Sequence, residues 1–187
     1  MQELIDGLIL YHGSYCEVKN PEVRYGARYK DFGQGFYLTP SKKQAQNFVQ
    51  MSVKKAAFNG KIDSLQEYGF VSSFQFSMNK ELNIQIYPET DSEWLHCIVG
   101  HRRKNTFPKI VRELKKYDIV VGKIANDNTN ATIAAYMASA YGEIGSKSAD
   151  TMCISLLMPE RLQDQFCFRT NDAIKSITFV ESERVWL

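Results

Sequence analysis

Two short runs concentrate the residues able to do chemistry: Tyr11-His12-Gly13-Ser14 and Asp31-Phe32-Gly33-Gln34-Gly35-Phe36-Tyr37-Leu38-Thr39. In the first, the apolar stretch Gly7-Leu8-Ile9-Leu10 ends at a histidine and a glycine. A histidine at the end of a buried strand can offer a ring nitrogen to a hydroxyl, and a glycine backbone, unhindered by a Cβ, can pair with a carboxamide. In the second, a Gly-x-Gly turn leads straight into a tyrosine whose strand neighbours Phe36 and Leu38 point to the opposite face. Those neighbours can fill a core and leave the Tyr37 ring free to stack. Together the runs can build a pocket for a flat, polar ring. The alternatives are a core histidine satisfied by a carbonyl and an ordinary packed strand tyrosine.

The elements that must position these residues follow from periodicity. Residues 7–14 read as a buried strand and 36–39 as a short one. Thr39-Pro40-Ser41 reads as an N-cap with proline at the first helical position, opening a helix to about Phe58 on Ala45, Phe48, Val49, Val53 and Ala56. Residues 70–77 and 83–87 alternate as strands, and 91–103 form a helix capped by Asp91 or Thr90. Residues 117–125 make a β-branched strand closed by Asn126-Asp127-Asn128. Helices at 131–141 and 148–158 precede strands at 165–170 and 176–183. This order predicts one α+β domain over 1–187 with largely antiparallel pairing. Gly33-Gln34-Gly35 lacks the third glycine of a dinucleotide-binding fingerprint.

Composition narrows the class. The 187 residues are 44% hydrophobic and 24% charged, the proportions of a soluble globular domain. A net charge of +2 gives no broad call for nucleic acid, although it leaves room for a local basic patch. Cys16, Cys97, Cys153 and Cys167 have no C-x-x-C spacing and are expected to be reduced. His96 and His101, at i and i+5, share a helix face poorly, so no metal site is expected. The early acids Glu3 and Asp6 and the lack of a long apolar run lead to the expectation of a cytoplasmic protein without a membrane segment.

The two amino-terminal runs resemble the nicotinamide pocket of the ADP-ribosyltransferase clan, and the chain is similar, more narrowly, to the DUF3990 family. The resemblance implies a split antiparallel β core with the NAD cleft between its halves and NAD as co-substrate. It implies His12 on a ribose hydroxyl, Gly13 on the carboxamide and Tyr37 stacked on the ring. Phe48, eleven residues beyond Tyr37, closes the other side in that clan, and a serine three residues earlier binds the carboxamide. Here that position is Ala45. Since Phe48 also falls on the apolar face of its helix, core packing is an equal reading. Ser14, Arg28 and Gly35 complete the implied NAD contacts. Arg28 is one of three loop cations, with Arg24 and Lys30, suited to a pyrophosphate.

The clan's catalytic glutamate on a late strand matches Gln165, which completes a catalytic set with His12 and Tyr37. An amide can bond a ribose hydroxyl but has no charge to set against an oxocarbenium ion. Asp164, Glu181 and Glu183 are the carboxylates that could substitute, and Asp127 could face the cleft. The basic end of the helix bearing His96, His101, Arg102 and Arg103, with Trp94, could touch a phosphate-bearing partner, and reads first as the ordinary complement of a helix dipole. The implied function is transfer of one ADP-ribose from NAD to a macromolecular acceptor, protein or nucleic acid. Such a protein would be a bacterial toxin or effector with an antitoxin partner. The alternatives are a non-catalytic module binding NAD, ADP-ribose or a partner, and an NAD glycohydrolase.

Overall fold

Leu10 is buried between two sheets while its neighbour Tyr11 packs toward a helix, and this alternation organises the layers. The computed structural model describes residues 1–26, 29–124 and 127–187. Strands β1 (Ile9–Ser14), β3 (Tyr68–Phe76) and β7 (Ile177–Trp186) form an antiparallel sheet in the order β1-β3-β7. Strands β2 (Phe36–Leu38), β4 (Ile84–Ile86), β5 (Ile119–Lys123) and β6 (Asp164–Phe168) form a second sheet in the order β2-β6-β5-β4. In the second sheet only β4 and β5 run parallel, which requires the long crossover between them. The architecture is thus α+β, with mainly antiparallel sheets.

A core fills the space between the sheets, with Leu10 and Phe74 from one and Phe36, Leu38, Phe166 and Phe168 from the other. Ile119 and Val121 of β5 join this core, whereas Val120 and Cys167 face the opposite side. That side is covered by α2 (Ser92–Arg102), α4 (Asp127–Met137) and α5 (Lys147–Leu157), which contribute Trp94, Ile98, Ile133 and Cys153. Helix α1 (Lys42–Phe58) lies on the outer face of the first sheet through Ala45, Val49 and Val53. Its approach is close: a Cβ on Gly13 would stand 2.1 Å from the Ala45 carbonyl oxygen.

Several boundaries differ from the sequence expectation for local reasons. Ser41, not Thr39, caps α1, its hydroxyl accepting from the Gln44 N–H at 3.2 Å. Thr39 cannot begin the helix because its backbone is held extended against Tyr11. Asp91 caps α2, accepting from the Trp94 N–H at 2.9 Å. Helix α4 starts at Asp127 rather than four residues later, so Asp127 and Asn128, expected to close a strand, instead open a helix. Helices α3 (Pro108–Glu113) and α6 (Asn171–Lys175), absent from the sequence reading, are too short to show periodicity.

Candidate functional site

Among the described residues the two sheets are joined by one antiparallel bridge, in which Tyr11 and Thr39 exchange backbone bonds of 2.8 and 3.0 Å. Backbone groups along β1 alternate in direction, so His12 turns to Ser72 of β3 and Gly13 turns back toward β2. The next rung would pair Gly13 with Tyr37. Instead, Nδ1 of His12 bonds the Tyr37 carbonyl at 2.8 Å. The ladder stops there, and the Gly13 N–H and C=O point toward β2 without a bond on that side among the described residues. Buried backbone groups rarely lack a partner, so this gap is polar by construction.

A carbonyl can only accept, so Nδ1 carries the proton and Nε2 presents a lone pair. Burial pushes the His12 ring below its ordinary 6.5, against the Tyr37 bond that raises it and helped by the charge of Lys30. The imidazole is therefore neutral at neutral pH, and Nε2 is an acceptor suited to a hydroxyl. Its ring lies 4.5 Å from that of Phe36. Ser14, two residues on and on the same face, is buried beside it.

Tyr37 does point away from Phe36 and Leu38, but the face it reaches is packed rather than free. Its half-buried ring rests on the helical core, and its hydroxyl donates to Gly33 O at 2.7 Å and accepts from the Phe32 N–H at 3.0 Å. The side chain thus pins the glycine turn, and burial holds its phenol well above the ordinary value. Gly35 serves packing too: a Cβ there would stand 2.5 Å from Cys167 Sγ, and one on Gly26 would meet Gly35 O at 2.4 Å. Phe48 is not a core residue. It is 42% exposed, off the buried stripe of α1, with Lys30 Nζ 6.0 Å from its ring. Arg28 and the side chain of Asp127 lie outside the described residues.

Gln165 shares a strand face with Cys167, the residue that pairs with Tyr37, and so stands on the side of the sheet away from the His12 ring. It is buried, and its amide donates to Asp31 Oδ2 at 3.0 Å and to Lys123 O at 3.4 Å. Arg102 from α2 places Nε and Nη2 on Asp31 Oδ1 at 2.9 and 2.6 Å. Asp31 is the functional candidate that the sequence reading missed. The carboxylates named for that role lie elsewhere: Asp164 pairs with Lys123, Glu183 with Lys42, and Glu181 is exposed on β7. The signal available was an acid immediately before the glycine turn; its partners are 71 and 134 residues away.

The remaining candidates are structural. His96 bonds Asp150 at 2.7 Å and stacks on Phe107, while His101 donates to Cys97 O at 2.9 Å. Burial pushes the thiols of Cys97, Cys153 and Cys167 up to about 12, which keeps them protonated and poor nucleophiles. No group of side chains able to hold a metal ion occurs among the described residues. Two surface depressions, along α5 at Lys147 and Thr151 and beside α6 at Asn79 and Lys175, contain no residue of the amino-terminal motifs. The site is therefore placed by polar geometry rather than by concavity.

The sequence profile of a family described as "Protein of unknown function (DUF3990)" matches residues 8–179. The chain belongs to the DUF3990 family. The match spans every element of the site, from β1 through the Gly-x-Gly turn and α2 to β6, and reaches into β7. A search among curated proteins finds no match to this DUF3990 chain. No helix among the described residues is long and apolar enough to cross a membrane.

Proposed function

We propose that this DUF3990 protein is a mono-ADP-ribosyltransferase with an ADP-ribosyltransferase-like split β core, acting on NAD in the cytoplasm. The observation that supports this most is the interrupted rung at Gly13, where the His12 ring replaces the backbone bond to Tyr37. A carboxamide needs one donor and one acceptor side by side, and the Gly13 N–H and C=O offer that pair. The adjacent Nε2 of His12 accepts from a ribose hydroxyl. The exposed ring of Phe48 stacks on the nicotinamide, and Lys30 beside it faces the pyrophosphate.

In the reaction the bond between C1′ and the nicotinamide nitrogen breaks, nicotinamide keeps the electron pair, and a nucleophile of the acceptor attacks C1′. Positive charge builds on the ribose as the bond lengthens. Gln165 offers only an amide, bonded to Asp31 on the face of its sheet away from His12, and sets no charge against the ribose. The lack of that charge limits the electrostatic assistance available and favours single transfer over chain extension. It is also the observation that favours the second reading, a module that binds NAD or ADP-ribose without turnover. As a transferase, the protein fits a toxin or effector that an antitoxin partner would restrain.

Incubation of the purified protein with labelled NAD and a cell lysate tests the reading. Label on a macromolecule is the expected result, and it should be lost with His12→Ala, whose NAD affinity should fall by roughly 1–3 kcal/mol with the fold kept. Free ADP-ribose alone would indicate a glycohydrolase, and bound but intact NAD the non-catalytic module.

A further inference from the structure

The cations of this chain are unevenly placed. Residues 102–116 hold seven Lys and Arg against one acid, Glu113, while the whole chain carries only +2, so the remainder is net negative. Six of the seven, Arg103, Lys104, Lys109, Arg112, Lys115 and Lys116, are exposed. The helix dipole accounts for a cation or two at the end of α2, not for a run that continues through α3. On α3 and the turn after it the apolar residues point inward: Leu114 is buried and Ile110 packs on the helical core. The outward face is left without an apolar anchor.

We propose that this cationic face binds single-stranded nucleic acid and presents it to the cleft as the acceptor, the second part resting on the transferase reading. A protein partner would want an apolar, lysine-poor centre, and a membrane surface would want the apolar face outward. A polyphosphate backbone wants neither. The face also begins beside the Asp31–Gly35 turn. The His101 ring packs against Gly33, closely enough that a Cβ there would stand 2.7 Å from it, and Arg102 bonds Asp31 at 2.6 Å. Lys104 Nζ lies 5.7 Å from the ring of Tyr29, which is 56% exposed. Exposed aromatic rings flanked by cations are the combination on which unpaired bases stack, which selects a single strand over a duplex.

Fluorescence anisotropy with a labelled oligothymidylate of about 20 nucleotides tests this without NAD. If about four phosphates are neutralised, affinity should fall about 50-fold between about 50 and 200 mM salt, at roughly 0.7 per contact in the log–log slope. The triple variant Lys109→Ala, Arg112→Ala, Lys115→Ala should remove most of that slope. A control with the same charge change on another exposed surface, Lys54→Ala, Lys55→Ala, Lys61→Ala, should bind as the unmodified protein does. Tyr29→Ala should weaken the single strand more than a matched duplex. No binding at the lower salt, equal loss in both triple variants, or preference for polyglutamate over the oligonucleotide would overturn the proposal. Label transferred only to protein, with oligonucleotide binding intact, would overturn the acceptor assignment and leave the transferase reading standing. Oligonucleotide binding without any label transfer would leave the nucleic-acid face standing and overturn the transferase reading together with the acceptor assignment.

Discussion

Asp31→Ala is expected to lower the stability of this protein by about 3–5 kcal/mol, the usual result of removing one partner from a buried ion pair. Asp31 is 6% exposed and receives two bonds from Arg102 and one from Gln165. Alanine takes the Asp31 charge away from the guanidinium, whose side chain is only 16% exposed, and takes from the Gln165 amide the nearer of its two acceptors. The Asn130 bond to Arg102 at 3.1 Å survives but brings no charge. For a chain of this length the loss should appear as a melting temperature lower by about 10 °C. Asp172→Ala, which removes an exposed pair with Lys175, should give no measurable change. Similar melting curves for the two variants would show that the Asp31 cluster is not a structural keystone.

Gln165→Glu, the substitution that would install the clan's glutamate, is expected to be harmful alone and tolerated in combination. The glutamate would face Asp31 Oδ2 where the amide nitrogen now donates at 3.0 Å, so two buried carboxylates would meet. Their repulsion raises the carboxyl pKa of the pair, and the cost, about 2–4 kcal/mol, is largest above that raised value and shrinks as pH falls toward about 5. The double variant Asp31→Asn, Gln165→Glu exchanges donor and acceptor and keeps one negative charge for Arg102. It should recover stability to within about 1 kcal/mol. A double variant no more stable than Gln165→Glu alone would show that repulsion between the two carboxylates is not what destabilises it.

The sequence made legible what local patterns encode. Apolar runs located β1 and β5, alternation turned Phe36 and Leu38 into the inter-sheet core, and Asp91 marked the start of α2. It did not reveal what depends on the meeting of distant segments. Asp31 and Arg102 are 71 residues apart, and no periodicity links an acid before a glycine turn to an arginine ending a helix. Gly13 and Gly35 were read as openings for a ligand, yet their missing Cβ atoms admit Ala45 and Cys167. That the Gly13 backbone has no bond toward β2 among the described residues becomes visible only once the pairing of Tyr11 with Thr39 is known. Phe48 was ambiguous for a similar reason: it borders the apolar stripe of α1, and only the position of the sheet beneath the helix turns it outward.

The most direct test of the NAD site is a titration of isotopically labelled protein followed through its amide signals at pH 7.5, where the His12 ring is neutral. The account predicts a saturable shift of the Gly13 amide, with smaller shifts at His12, Tyr37 and Phe48, and loss of these shifts in a folded His12→Ala variant. Saturable NAD binding that leaves the Gly13 amide unmoved, or no binding at all, would contradict it.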